Sequence, residues 1–582
     1  MPLISERQRR AAEQWIAADP DPVTRDELRS LLAAGDTEAL AERFDSPLRF
    51  GTAGLRGVMG AGPARMNRVV VRRTTAGLAG WLSARGETAK GLVVGRDARH
   101  NSDSFAADVS ETAARFGVPV RCFHNALPTP LTAFAVKHTG AAAAVMITAS
   151  HNPPLDNGYK LYVADGAQVI PPDDAAVAAA ADATALDPLP PQGTPAATVS
   201  YPFGENDAEL LDAYRAMALS KIDPHGPRDL RIVYTPLHGV GGAVTPGLLK
   251  AAGFTDLSVV AEQEQPDPDF PTVRYPNPEE PGTLDLALAK AQACGADLML
   301  ANDPDADRLA VAVPDRKGGW RVLSGNELGV LIGDHLMATA GEGRWVVATT
   351  LVSSRMLAAQ AAEAGFIYEE TLTGFKWIAR AANRHPGTRL LFGYEQALGY
   401  AVSDAVSDKD GITAALVVAE MAARARASGR SLLDRLDELY LRLGVHLTTE
   451  WSIRADQLGG SVSGSAGEGA AEAGIAYLSR LTDAWRAKAP ERLGGLALSG
   501  VIDLTDGVNG YPPSEGIIFE LGGSARLVIR PSGTEPKLKL YLEAITPPPS
   551  ADGLDAARTA AAAVLAAVKR DVAATFSRFA AA

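Results

Sequence analysis

The spacing of apolar positions changes along the chain. Residues 4–47 carry them at helical intervals, in ISERQRRAAEQWI and RDELRSLLAAGDTEALAERF, with a break at DPDP, which predicts N-terminal helices. After these one pattern recurs: a short β-branched or apolar run ends in a Gly-, Pro- or Ser-rich loop, and an Ala/Leu-rich helical stretch follows. GLVVGRDARHNS with AAAVMITASHNPP, LRIVYTPLHGVGG with ADLMLANDPDADR, and RWVVATTLVSS with TRLLFGYEQALGY make three such pairs. Strands alternating with helices build α/β domains, whose ligands sit beyond the carboxyl ends of the strands. Three α/β domains of similar build are therefore expected. The tail differs. LALSGVIDLTDG, GIIFELGG, ARLVIRPSG and KLKLYLEAI are strands separated by turns, which predicts a smaller α+β domain with a largely antiparallel sheet, closed by an Ala-rich helix over 554–576. The Pro/Ala/Asp-rich stretch 171–200 and the Gly/Ser-rich stretch 459–470 read as loops or linkers.

Composition narrows the class. A chain of 582 residues is too long for one core and suggests roughly four domains. With 56 basic and 69 acidic residues the net charge is −13, which disfavours non-specific binding to nucleic acid or to an anionic membrane surface. An anionic small substrate stays open, because a local cluster of Arg and Lys overrides the global field. The two cysteines, Cys122 and Cys294, have neither metal-type spacing nor the density of a disulfide framework. No segment approaches the ~20 apolar residues of a membrane span, and the charged N-terminus lacks a secretory pattern. The expectation is a cytoplasmic protein.

Five stretches could carry chemistry. In VMITASHNPPLDNGYKLY an apolar run stops at Thr148, and Ser150 and His151 follow in a turn that Pro153, Pro154 and Gly158 hold open, with Lys160 close behind. Ser150 reads either as a nucleophile or as a capping or turn serine, and the absence of G-x-S-x-G argues against a hydrolase elbow. In NDPDADRL, Asp303, Asp305 and Asp307 alternate, so an extended segment would aim three carboxylates at one side, where a hard cation such as Mg²⁺ relieves their repulsion. A solvated acidic loop is the alternative. An EF-hand is excluded by Arg308 and Pro314 at positions needing Gly and Glu. Arg308 itself suits a phosphoryl group. In RPSGTEPKLKLY, Arg530, Ser532, Gly533, Thr534 and Lys537 have the composition of a phosphate cradle, or of an ordinary hairpin turn. GTAGLRGVMGAGPARMN is a Gly-rich loop with Arg56 and Arg65 that fits neither a P-loop nor a dinucleotide fingerprint. Glu395 in GYEQALGY could meet sugar hydroxyls, and Lys376 in TGFKWI a phosphate or a proton; either residue alone reads equally as a surface residue.

The order of these segments is informative: a Gly-rich arginine loop, T-A-S-H-N-P, D-P-D-A-D-R, a glutamate loop, then R-P-S-G-T-E-P-K. It resembles the α-D-phosphohexomutase superfamily across essentially the whole chain, and GTAGLRGVMGAGPARMN, TGFKWI and SDKDG look most like its phosphopentomutase-type and related bacterial phosphoglucomutase branch. The resemblance implies an α/β fold of four domains around a central cleft, three of them similar with mixed sheets and the last α+β. The corresponding segments are 1–205, 206–322, 323–446 and 447–582. It implies phosphorylated Ser150, Mg²⁺ held by Ser150, Asp303, Asp305 and Asp307, and active-site roles for His151, Lys160, Arg56, Arg308 and Lys376. Glu395 would contact the sugar, and Arg530, Ser532, Gly533, Thr534 and Lys537 its distal phosphate. The implied reaction interconverts hexose 1-phosphate and 6-phosphate through a sugar bisphosphate, which also serves as activator. Ala397, standing where the hexomutase pattern G-E-x-S-G has serine, raises a pentose 1-phosphate to 5-phosphate alternative. A serine-dependent phosphatase and a non-catalytic sugar-phosphate binder are more distant alternatives. Phosphorylated monosaccharides are the expected partners.

Overall fold

The computed structural model describes residues 4–49, 54–189, 194, 196–458, 468–531 and 537–581. They fall into two compact units, Met1–Leu328 with Gly374–Gly429 and Gly329–Thr373 with Arg430–Ala582.

The first unit opens with helices Glu6–Ala18, Pro22–Ala34 and Thr37–Phe44. Ser5 and Gln8 form a capping box on the first, and the carboxylates of Asp21 and Asp36 cap the other two. The second helical stretch of the sequence is thus two helices, because Gly35 at φ 70° ends one and Asp36 starts the next. Trp15, Leu28 and Leu40 close a core that also takes in Ala61 and Val69, so the three helices are seated on the domain that follows.

That domain holds a six-stranded sheet in the order Leu55–Val58, Asp156–Val163, Ala143–Ile147, Leu92–Arg96, Val120–Cys122, Val199–Ser200. Leu92–Arg96 and Ala143–Ile147 run parallel, and Asp156–Val163 returns antiparallel to the latter, so the sheet is mixed. All of Ala143–Ile147 is buried, which explains its unbroken apolar run. The stretch 171–200 is not simply a linker. Asp173–Asp182 is a helix whose Val177 and Ala181 are buried on helix Arg68–Ala84. Gly77 permits the approach: a Cβ there would stand 2.6 Å from the Ala181 backbone nitrogen. Alanine pairs with glycine at close range without large apolar residues, so no periodic signal advertised the helix.

The next sheet orders Trp320–Val322, Leu309–Pro314, Leu298–Asn302, Ile232–Thr235, Leu257–Val259 and is also mixed. The first unit further contains the antiparallel hairpin Arg389–Glu395 with Gly399–Ala401, followed by helix Gly411–Ala427.

In the second unit, Trp345–Thr350 and Ile367–Thr371 form a parallel pair. Its six-stranded C-terminal sheet is antiparallel throughout: His446–Arg454, Lys537–Ile545, Ala525–Pro531, Ile517–Leu521, Leu496–Asp503, Arg492–Leu493. Helices Glu468–Ala487 and Leu554–Ala581 cover it, the second running beyond the expected 576, and Trp485 packs its ring 5.4 Å from Phe519 and 5.3 Å from Phe576. The proposed linker at 459–470 lies mostly outside the described residues, and its end is the start of helix Glu468–Ala487.

One buried carboxylate ties this unit together. Glu543 accepts from Ser354 Oγ at 2.7 Å, from Arg355 N at 2.9 Å and from Arg355 Nε at 2.7 Å, and faces His446 Nδ1 at 3.1 Å. Burial works to raise its pKa, but His446 and Arg355 outweigh burial and hold it at about 2, against an ordinary 4.5. A depressed folded-state pKa means that this stabilisation is complete above the unfolded value near 4.5 and is lost as pH falls toward 2. The shift corresponds to about 3 kcal/mol. Glu543→Gln is therefore expected to lower the unfolding free energy by about 3 kcal/mol at neutral pH and by progressively less toward pH 2. Urea unfolding at neutral and acid pH measures it, and equal midpoints for variant and wild type at pH 7 would refute it.

Candidate functional site

Two strand ends build the site. Ala143–Ile147 delivers Ser150, whose φ of 54° lies in the left-handed region where only the turn around it keeps a side-chain-bearing residue. Thr148 Oγ1 accepts from Ser150 N at 2.9 Å, fixing that turn. Gly158 does not hold the turn open. It lies in strand Asp156–Val163, where a Cβ would come within 2.6 Å of Thr148 O and 2.7 Å of Leu55 O, so its role is close packing of three backbone segments.

Leu298–Asn302 delivers the acidic loop. Its three carboxylates converge, but not by strand alternation: Ala306, at φ 56°, bends the segment into a turn. Asp303, Asp305 and Asp307 are all buried, with one potential ligand oxygen from each within 4.8 Å of the others. Ser150 Oγ donates to Asp303 Oδ2 at 2.8 Å and lies 3.1 Å from His151 Nδ1. Lys160, on the strand beside Ser150, donates to Asp305 Oδ2 at 2.7 Å and to Asp307 Oδ2 at 2.8 Å.

The electrostatics follow from these contacts. Burial, reinforced by Asp305 and Asp307, raises the pKa of Asp303 well above the usual carboxylate range. Burial opposes the Lys160 charge, yet the two aspartates more than restore it and its pKa sits above the ordinary lysine value. Burial and the cations Arg308 and Arg56 push His151 well below 6.5, so its imidazole is neutral at pH 7. Lys160 occupies only the Oδ2 atoms. Oδ1 of Asp305 and Oδ1 of Asp307 are buried and accept no hydrogen bond among the described residues. Two carboxylate oxygens that accept no hydrogen bond, beside a third, charge-starved carboxylate, form the hard oxygen donor set that a divalent cation of the Mg²⁺ type takes.

The other expected residues divide. Arg56 reaches the Ser150 turn, donating to Asn152 Oδ1 at 2.9 Å. Arg308 N donates to Asp303 Oδ1 at 3.0 Å, and its guanidinium lies 3.4 Å from Glu279. Glu395 accepts from Gly374 N at 2.8 Å, and its charge is felt at Arg308 and Lys409. Its loop meets the acidic loop directly, with Leu309 N donating to Leu398 O at 3.0 Å. Lys376 is buried, which lowers its pKa, but the charges it feels are those of Asp174 and Arg380, not those around Ser150. Arg530 lies in strand Ala525–Pro531 and Lys537 opens its partner Lys537–Ile545 in the second unit, whereas Ser532, Gly533 and Thr534 lie outside the described residues.

Two residues near the acidic loop were not anticipated. Lys409, from SDKDG, places Nζ 3.3 Å from Asp307 Oδ2, and both this aspartate and Asp408 hold it charged against burial. Thr129 opens a helix, and its hydroxyl donates to Asp305 Oδ2 at 2.6 Å. SDKDG offered a lysine between carboxylates as a signal. Thr129 offered none, since a threonine before proline reads as a helix start.

Known proteins resemble this chain over most of its length. The chain matches Phosphoglucomutase/phosphomannomutase alpha/beta/alpha domain I over residues 47–187, domain II over 211–318, domain III over 324–442 and the C-terminal domain over 486–560. A Mus musculus Phosphopentomutase is 36% identical, covering 93% of this chain and 90% of that one. A Haemophilus influenzae Probable phosphomannomutase is 39% identical, covering 82% of this chain and 93% of that one. The crystal structure of a Phosphoglucomutase/phosphomannomutase family protein from Burkholderia thailandensis has a TM-score of 0.66 over 90% of this chain and 97% of that one; at 21% identity the likeness is one of fold. No helix among the described residues is long and apolar enough to cross a membrane. With all four domains matched in order, this chain belongs to the phosphoglucomutase/phosphomannomutase family of the α-D-phosphohexomutase superfamily, a family of phosphosugar mutases, which are intramolecular phosphotransferases.

Proposed function

We propose that this mutase interconverts pentose 1-phosphate and pentose 5-phosphate, with phosphorylated Ser150 as phosphoryl carrier. The observation that carries the pentose reading is the near full-length similarity to a Phosphopentomutase. Ala397 supports it, because the hydroxyl contact of the hexomutase pattern is missing there. The hexose 1-phosphate to 6-phosphate reading is kept alive by the similarity to a Probable phosphomannomutase.

In the reaction, the bond between phosphorus and Ser150 Oγ breaks as the free hydroxyl of a sugar monophosphate attacks, giving a sugar bisphosphate. The hydroxyl proton passes by way of His151 Nδ1, which is neutral and stands beside Oγ, to the departing Ser150 Oγ. Ser150 Oγ then attacks the other phosphate of the bisphosphate, the bond from that phosphorus to the sugar oxygen breaks, and the Oγ proton returns by the same route to the departing sugar oxygen. A bisphosphate supplied from outside loads Ser150 for the first turnover. Asp303, Asp305, Asp307 and an oxygen on Ser150 would hold Mg²⁺, which when bound neutralises charge on the transferring phosphoryl oxygens. Lys160 stays charged between Asp305 and Asp307 and keeps their Oδ1 atoms free for that ion. Arg308 and Lys409 add fixed positive charge along the same loop. Glu395 accepts from sugar hydroxyls, Lys376 meets a sugar phosphate, and Arg530, Ser532, Gly533, Thr534 and Lys537 take the phosphate that is not being transferred.

The test is a substrate panel with ribose 1-phosphate, glucose 1-phosphate and mannose 1-phosphate under one bisphosphate activator. Ribose 1-phosphate is expected to give the highest kcat/KM, by about tenfold or more. A hexose preference of that size sinks the pentose reading and leaves the mutase reading intact.

A further inference from the structure

The motif GRDARHNS ends strand Leu92–Arg96, beside the strand that carries Ser150, and the chemistry above gives it no task. Its Arg99 is almost fully buried, 4% exposed, and so is Asp97 at 1%. The guanidinium lies directly under the Ser150 turn. Nη2 donates to the carbonyls of Ser150 at 2.7 Å and Asn152 at 2.6 Å, and Nη1 to those of Pro153 at 2.8 Å and Asp156 at 3.2 Å. All four terminal N–H groups are thereby spent on one turn. The remaining Nε faces Asp97 Oδ2 at 3.4 Å, and Phe270 stacks 5.0 Å from the guanidinium carbon. Asp97 is itself fixed, its Oδ1 accepting from Arg99 N at 3.0 Å and from Ser102 Oγ at 2.7 Å.

Such saturation is hard to explain as packing alone. Four carbonyl dipoles pointing at one spot repel each other unless a cation collects them, and burying that cation is costly unless a carboxylate stands behind it. The chain bears this arrangement under one residue whose backbone is in the left-handed region, at a cost of order 1–3 kcal/mol. We propose that Arg99, backed by Asp97, is the positioning residue that holds the Ser150 turn in this conformation, so that Oγ stays aimed at Asp303 and His151. The inference rests on the reading of Ser150 as phosphoryl carrier. Arg99 does not touch the reacting atoms. It acts through the carbonyl of Ser150, and its fixed charge, close enough to be felt at Asp303 and Asp305, adds to the field beneath the phosphoryl group. Lysine cannot replace it, because one ammonium offers three donors from a single point and cannot span four carbonyls.

Arg99→Lys keeps the charge and loses the fork. It is expected to lower kcat about 100-fold, the scale of a small misplacement of a reacting group, with KM changed less than about twofold. Phosphate should appear on Ser150 correspondingly slowly when the variant is mixed with glucose 1,6-bisphosphate. An unchanged kcat, or a loss confined to KM, overturns the assignment. Should Arg99→Lys fail to fold, Asp97→Asn decides, since it leaves the four carbonyl bonds of Arg99 available and removes the counter-charge behind them. It is expected to lower kcat about tenfold at unchanged KM, and a wild-type kcat there overturns the assignment. Failure of the carrier reading looks different: wild-type protein would take no phosphate on Ser150 from the same bisphosphate.

Discussion

Ser150→Ala is expected to abolish sugar-phosphate interconversion, by about four orders of magnitude or more, while the protein still folds. The loss is large because the hydroxyl is the only group in the proposed chemistry that forms a covalent bond, and no neighbour replaces it. His151 is neutral but turned toward Oγ, and Lys160 and Lys409 are committed to carboxylates. The structural cost is small. The variant loses one hydrogen bond to Asp303, which keeps its bond from Arg308 N, and alanine enters the left-handed region no less readily than serine. Coupled turnover of ribose 1-phosphate measures activity, and mass spectrometry after incubation with glucose 1,6-bisphosphate reads the phosphate directly. Phosphate on the wild type and none on the variant is expected. Residual turnover above about one part in a thousand, in protein free of contaminating mutase, would remove Ser150 from its role.

Lys160→Met is expected to have the largest effect on stability within the site. Methionine matches the length and flexibility of lysine but leaves Asp305 and Asp307 facing each other in a buried space. Removing one partner of a buried ionic cluster typically costs about 3–5 kcal/mol, and here two carboxylates lose the same partner. Mg²⁺ offers a replacement charge. The variant should therefore unfold earlier than wild type in EDTA, and added Mg²⁺ should raise its melting temperature more than that of the wild type. Activity is expected to fall with it, since the Oδ2 atoms that Lys160 held apart can then compete for the ion. An EDTA melting temperature equal to that of the wild type would show that Lys160 does not hold the acidic loop.

Much of this site could be read from the sequence because its parts are local. An apolar run ending in T-A-S-H marks a strand and its loop, three aspartates within five residues mark a charge problem, and Lys160 follows Ser150 on the returning strand of the same hairpin. What escaped the sequence depends on contacts between distant segments. Thr129 and Lys409 reach the acidic loop from segments far from it in sequence, at Asp305 and Asp307 respectively, and Arg99 reaches Ser150 only because Leu92–Arg96 pairs with Ala143–Ile147. Strand His446–Arg454 was missed for a related reason: only Ile453 in it is buried, and its partner is Lys537–Ile545 at the far end of the chain. Helix Asp173–Asp182 was hidden by its own composition, alanine being as much at home in a linker as against Gly77.

The left-handed backbone at Ser150 also limits what evolution can do with this position. Threonine carries the same hydroxyl and accepts phosphate equally well as a chemical group. Its branched Cβ, however, clashes with the preceding peptide at a φ of 54°, which a β-branched residue adopts only as a rare outlier. Cysteine would fit sterically but exchanges an oxygen ester for a different reactivity. The conformation of one residue thus favours serine over threonine as the hydroxyl carrier, before any contact with metal or sugar is considered.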